Sequence, residues 1–364
     1  MHCTGTHPKI AAKLVGLVMA TMGVSTGWCA PLDALLTADQ FHYSGELRFE
    51  VGLDAMNDTL DVLHLRAKDP TYGGTQVGDY SGQHVRVAYA VRPTLLVEGA
   101  LARRSVQYRT DEESIDSWQM AAQQRLYGNA DSPAHAAVRL SLWGNRSDEL
   151  RKSSATAVQG LTVQDLRVLD LSDHQEELDL LGSWRLTEAS TLSAFFGIGR
   201  SAVSTGDMTA TYVDGQGCQY AMSFTPTQTS GTRIAPCGSS LAAFSTSLSP
   251  LAEFSYGGSY TQWGGMWQWQ RGPWALRAGM QWLRLDRDNV DAKIAQNGGT
   301  PYEDNQILVV DVIHALNEQI AIFVRGQAMR HQFVGEIPFL YNSATAHKFD
   351  RRYGYVSVGL HVAF

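Results

Sequence analysis

The sequence predicts an all-β fold: an antiparallel up-and-down sheet closed into a membrane-spanning barrel of about twelve strands, with ten or fourteen as alternatives. Three observations carry this. Apolar residues recur at every second position in one segment after another, the connections alternate between short and long, and the chain opens with an export signal.

The period of two is clearest where Leu47, Phe49, Val51 and Leu53 alternate with Glu46, Arg48, Glu50 and Gly52. It recurs at Val85-Val87-Tyr89-Val91, Leu95-Val97-Gly99-Leu101, Ala136-Val138-Leu140-Leu142, Leu178-Leu180-Gly182-Trp184-Leu186 and Leu192-Ala194-Phe196-Ile198. Further along come Trp263-Gly265-Trp267-Trp269, Trp274-Leu276-Ala278-Met280-Trp282, Ile320-Ile322-Val324 and Val356-Val358-Leu360-Val362-Phe364. Side chains on a strand point alternately to its two faces, so each series marks one apolar face. Short turns are expected at 92–94, 128–133, 187–190, 271–273 and 316–318, and long connections at 54–82, 109–114, 146–175, 203–250, 287–304 and 333–351. Five short turns between six long loops give twelve strands, with both termini on the short-turn side. Membrane barrels have this asymmetry, with short periplasmic turns and long extracellular loops. Within 146–175, Leu161-Val163 and Leu166-Val168 also alternate, and the parity places them in a hairpin above the membrane.

Residues 1–27 read as a secretory signal, with 30 as the alternative cut. Lys9 and Lys13 precede an apolar run over 14–24, which is too short to span a hydrocarbon core that needs about twenty helical residues. Residues 28–44 then form an N-terminal periplasmic segment and 45–364 the barrel. Of four cysteines, Cys3 lies in the signal and Cys29 at its edge, leaving Cys218 and Cys237 in the Gly/Ser/Thr-rich stretch 203–250. In an oxidising compartment this pair reads as a disulfide, contributing on the order of 3 kcal/mol by restricting the open loop.

Composition narrows the function classes. The 364 residues are 44% hydrophobic and only 18% charged, which does not match a disordered chain. A net charge of -7 argues against a nucleic-acid partner, since phosphate contact needs a basic surface. A soluble sandwich or secreted barrel also alternates, but it buries its apolar face and needs no aromatic bands. Here Trp184, Trp269 and Trp274 cluster at strand ends, with Trp263 and Trp282 further up the same wall, which suits girdles at a lipid–water interface.

The C-terminal segment is the most specific. Ser357-Val358-Gly359-Leu360-His361-Val362-Ala363-Phe364 resembles the β-signal of Gram-negative outer-membrane β-barrel proteins: polar, any, Gly, two of any kind, apolar, any, aromatic at the carboxyl terminus. The resemblance implies location in the bacterial outer membrane, with outer-membrane lipid and the barrel-assembly machinery as partners. Gly359, Val362 and Phe364 become the assembly-signal residues.

If the apolar series face lipid, the alternate residues face the lumen. The acids there are Glu46, Glu50, Glu98, Glu177, Asp179 and Asp311, and the bases Arg48, Arg86, Arg104, Arg125, Arg139, Arg185, Arg277 and Arg325. Gln119, Gln123, Gln262, Gln268, Gln281 and Gln327 add neutral groups. These charges must either pair with one another or border water. A ring of arginines in an open bore favours anions. The expected function is therefore a passive channel for small polar or anionic solutes. A structural, adhesive or assembly-partner barrel acting through its loops is the alternative, and a lipid-modifying enzyme the third. The sequence offers no convincing catalytic constellation: His42-Tyr43-Ser44 has no acid or amide placed to orient its histidine, and His84 with Ser81 and His361 with Ser357 are no stronger. No cofactor or metal is expected, because no nucleotide fingerprint or metal-ligand spacing is present. Twelve-stranded channels for acidic sugars resemble the chain in strand number and arginine-rich interior, without a shared motif.

Overall fold

The computed structural model describes residues 34–39, 44–69, 75–76, 78–108, 111–129, 131–158, 161–235, 237–238, 241–247, 254–296, 299–342, 345–346 and 349–364. The signal segment, Cys29 and His42 lie outside the described residues.

Twelve antiparallel strands close into a barrel. In chain order they are β1 (Leu47–Met56), β2 (Asp79–Arg92), β3 (Leu95–Tyr108), β4 (Asp111–Tyr127), β5 (Ala134–Lys152), β6 (Leu161–Thr187), β7 (Ser190–Ser204), β8 (Tyr256–Arg271), β9 (Trp274–Arg287), β10 (Asp304–Ala315), β11 (Ile320–Met329) and β12 (Tyr353–Ala363). Each pairs with its sequence neighbours, and β1 pairs with β12 from Arg48 opposite Ala363 to Ala55 opposite Val356. That last ladder removes both sheet edges, the requirement for a sheet to cross a bilayer.

The period of two sorts the side chains as the sequence predicts. Leu53, Leu140, Leu178, Leu180, Phe196, Ile198, Leu308, Val324, Val358 and Leu360 are exposed on the outer wall. Trp184, Trp263, Trp267 and Trp274 are exposed on the same surface, and Trp263 and Trp282 stack at 6.5 Å. Charged and amide side chains occupy the inner face.

The connections differ in detail from the sequence expectation. The expected loop 109–114 is shorter, because β4 begins at Asp111 and pairs with β3 up to Tyr108. The 146–175 region is the predicted hairpin above the membrane, formed by the upper parts of β5 and β6. A crossing needs roughly 9–11 residues, and β6 has 27. The stretch 203–250 builds four short strands, 208–213, 219–225, 228–233 and 243–246, that extend the sheet from the upper part of β6. Cys218 and Cys237 form a disulfide within it, with a Cα–Cα distance of 5.4 Å. A short helix, α1 (Val290–Gln296), caps the connection between β9 and β10.

Among the described residues, two segments enter the barrel. The connection after β11 folds inward, burying His331 to Asn342 almost completely. The described part of the N-terminal segment, residues 34–39, lies inside, running from the periplasmic turns at Ala38 up to mid-lumen at Ala34 and Leu35.

Candidate functional site: the lumen

The lumen has three layers. At the periplasmic end, Leu36 and Ala38 pack with Ala137, Leu181 and Phe195, inward residues of β5, β6 and β7. Polar contacts fix the segment: Thr37 Oγ1 lies 2.9 Å from Ser183 Oγ, the Ala38 N–H donates to Ser183 Oγ at 2.8 Å, and Gln123 Nε2 donates to the Thr37 carbonyl at 3.0 Å. Asp39 sits between Arg125 at 3.9 Å and His135 at 3.7 Å. Ala34 reaches mid-lumen against Gly279, where a Cβ would stand 2.1 Å from the Ala34 carbonyl oxygen, so only glycine fits there.

The middle layer is charged. Glu50 on β1 accepts two hydrogen bonds from the Arg325 guanidinium of β11, at 2.9 and 3.0 Å, and faces His84 Nε2 at 3.2 Å. His84 is held on its other side by Asp54, 3.1 Å from Nδ1. His361 Nδ1 lies 3.5 Å from Glu50. Asp311 on β10 takes Arg277 from β9, with Nε at 3.1 Å, and Arg325 at 3.3 Å. Glu98 on β3 is shared by Arg86 and Arg139. Glu177 is buried, and Asp179 accepts from Gln262 at 2.7 Å. A cavity of about 70 Å³ lies in this layer, lined among others by Glu50, Asp54, His84, Arg86, Arg104 and Arg325. It is roomy and polar enough for water, which needs about 10–15 Å³ and two to four partners.

The outer layer is an apolar cork. Phe333, Val334, Ile337, Phe339, Leu340 and Tyr341 are each at most 6% exposed. They pack with inward residues of the upper strands, Met56, Tyr80, Ile115, Trp143, Tyr260, Leu283, Tyr353 and Tyr355 among them, and with Val290 and Ile294 of α1. Polar contacts encircle the bore. Glu336 meets Arg104 of β3, whose guanidinium also donates to Asn145 of β5 at 2.9 Å. The Phe339 N–H donates to Asp173 of β6 at 3.4 Å, Tyr256 of β8 donates to the Pro338 carbonyl at 2.8 Å, and Arg287 of β9 stacks over Tyr341 at 4.1 Å. Asn305 of β10 exchanges hydrogen bonds of 2.9 Å with the His331 backbone. Burial pushes the His331 imidazole below its ordinary pKa, and Arg330 adds to this; Asp304 and Asp350 oppose it.

Of the site residues expected from the sequence, Arg86, Arg104, Arg125, Arg139, Arg277 and Arg325 line the lumen, each within ion-pair distance of a carboxylate. Arg185 is exposed two residues from the periplasmic turn. Sequence reasoning missed Asp54, Asp173 and Glu336, and it missed the cork altogether. The signal was present: Phe333-Val334-Gly335-Glu336-Ile337-Pro338-Phe339-Leu340-Tyr341 is too apolar for a connection left in water. Among the described residues no group of three or more His, Cys, Asp or Glu side chains could hold a metal ion.

No protein-family model matches the chain, and no curated protein matches its sequence. Among solved structures, the translocator domain of the autotransporter NalP from Neisseria meningitidis is similar at 10% identity and TM-score 0.47, over 98% of this chain and 96% of that one. The P. putida toluene transporter TodX is similar at 10% identity and TM-score 0.42, over 93% and 95%. The NanC porin is similar at 8% identity and TM-score 0.39, over 86% and 98%. Likeness at this level concerns shape alone. The closed twelve-strand ladder, the apolar outer wall and the charged interior define the chain itself as a membrane-spanning β-barrel.

Proposed function

We propose that this barrel is a gated route for small polar solutes across the outer membrane, and that the conformation described is its closed state. The observation that supports it is the charged middle layer. A barrel acting only as a scaffold can fill its bore with apolar side chains, whereas this one places carboxylates and guanidiniums around a water-sized cavity, where each charge costs desolvation. The two closures are segments of chain held in the bore by non-covalent contacts rather than wall residues, so both can move without breaking the ladder, although Ala34 and Leu35 of the plug share one buried apolar cluster with the cork.

The closures differ in strength. Burying Leu35 and Leu36 stabilises the N-terminal plug by about 3–6 kcal/mol before its ordering entropy is subtracted, against on the order of 10 kcal/mol or more for the six large apolar residues of the cork. The plug is therefore the closure that thermal motion opens, and the cork needs a trigger. Anion preference is weak in this reading, because the lumenal arginines are paired with acids.

Flux tests this. Proteoliposomes containing a variant without residues 28–40, and with 333–349 replaced by a short Gly/Ser linker, should swell in small neutral sugars and, slightly faster, in sugar acids. Arg139→Ala with Arg325→Ala should remove the difference. No swelling from the doubly opened barrel would mean the wall side chains themselves fill the bore, ending the channel reading. A second reading, a closed barrel that displays a binding surface, is favoured by the disulfide-pinned extracellular sheet. It predicts full biological activity from a barrel locked shut.

A further inference from the structure

The connection following β1 carries an apolar tip that neither the lumen nor the transport reading uses. Leu60 is 41% exposed, Val62 74% and Leu63 75%. The tip is rigidly built. Asn57 Oδ1 accepts from the Thr59 and Leu60 N–H groups at 3.0 and 2.9 Å, and Asp61 accepts from the Leu65 and Arg66 N–H groups at 2.6 and 3.1 Å. The Arg66 side chain, only 1% exposed, donates to the Gly78 carbonyl at 2.7 Å and to Asp79 at 2.8 Å, and pairs with Asp58. A buried arginine held through both terminal nitrogens by three acceptors keeps the turn in one shape, so the exposed side chains are presented rather than frayed.

The position of the turn identifies what it meets. On β2, Asp79 shares the outward parity of Val85, Val87, Tyr89 and Val91. On β12, Gly354 shares the outward parity of Val356, Val358, Leu360 and Val362, and Leu65 lies over it: a Cβ on Gly354 would stand 2.8 Å from Leu65 Cδ1. The turn thus closes the rim above β1 between the strands on either side of it: Leu65 covers the outer face, while Arg66 reaches the Gly78 carbonyl that the lumen-facing Tyr353 hydroxyl also meets at 3.1 Å. Its height matches the edge of the bilayer. From Phe364 to Val356 the outward apolar series climbs roughly 21 Å at the usual rise and tilt, close to the 25 Å apolar band of such barrels. Leu65 covers the next outward position above, and Leu53, 66% exposed, faces outward on β1 at the level of Val358. Through Leu65 the turn therefore starts at the upper margin of the lipid-facing belt, with the exposed Asp58 carboxylate on the same turn left for the headgroup side.

We propose that residues 58–66 are an outer-leaflet anchor, with Leu60, Val62 and Leu63 entering the acyl-chain side of the interface beside β1. The inference rests on the barrel being membrane-embedded. Because the anchor bridges the ladder that closes the barrel, it also ties the β1–β12 seam to lipid.

The test uses nitroxide labels on the full mature protein with Cys29→Ser, reconstituted in phospholipid vesicles and read by power saturation with oxygen and a water-soluble nickel chelate. Val62→Cys should resemble the belt reference Val358→Cys, with oxygen dominating. It should differ from the extracellular-sheet reference Ile234→Cys, where nickel dominates. Adding Leu63→Asp should move the position 62 label toward the aqueous reference. A nickel-dominated signal at 62 with a lipid-like signal at 358 overturns the anchor alone, whereas an aqueous signal at 358 overturns the membrane-barrel reading beneath it. Spin–spin broadening between copies at position 62 would assign the tip to a second copy of the chain and also overturn the anchor.

Discussion

Gly359 shows how tightly a single residue is specified here. It faces the lumen opposite Gly52, and a Cβ at 359 would stand 2.1 Å from the Val51 carbonyl oxygen and 2.7 Å from the Phe323 ring. The backbone oxygen cannot move aside, so Gly359→Ala should cost about 1–3 kcal/mol, as overpacking does. Heat-dependent loss of the compact band on electrophoresis should shift to lower temperature. An unchanged transition would mean that the glycine has no structural role in the folded seam. His331 gives the cork a pH dependence of definite sign. Its buried imidazole resists the proton that the undocked loop would accept near pH 6.5. The docked state therefore keeps this contribution above the ordinary histidine range and loses it as the pH falls through that range. Hydrogen exchange of 331–342, corrected for intrinsic rate, should accelerate between pH 7.5 and 5.5, and His331→Gln should flatten the change.

At the scale of the element, the two inserted segments should separate experimentally. Gly279→Val fills the place occupied by Ala34 and should release residues 34–39 while leaving the cork protected. Phe339→Ala leaves a buried cavity and should cost about 3–5 kcal/mol, loosening the cork alone. Equal loss of protection in both segments from either variant would mean that the apolar cluster joining Ala34 and Leu35 to the cork makes the two closures one unit. Reducing Cys218–Cys237 should open the extracellular sheet to protease while the barrel stays resistant, since no barrel strand depends on that bridge. Ten of the strands, the five turns and the disulfide were legible in the sequence because each is a local signal: a period of two, a turn residue, a cysteine pair in an export-bound chain; β4 and β10 followed only from the alternation of short and long connections. The inward direction of the lumenal arginines followed from the same alternation. Their partners did not. Arg104 meets Glu336 across 232 residues and Arg325 meets Glu50 across 275, and nothing local in either residue encodes the other. The cork was missed because strand parity assigns a connection to one side of the membrane and is silent on whether it turns outward or back into the bore.

For the whole molecule, closure of the sheet and closure of the lumen are separate facts. The ladder between β1 and β12 makes the barrel, and the plug and the cork make it closed. In the channel reading these two segments, and not the wall, block the bore. Single-channel recording in planar bilayers tests it most directly, comparing the wild type, a variant lacking 28–40, a variant with 333–349 replaced, and the combination of both. Silence is expected from the wild type, silence or brief flickers from either single variant, and long, stable openings only from the combination. Steady conductance in the wild type, or silence in the combination, would contradict it.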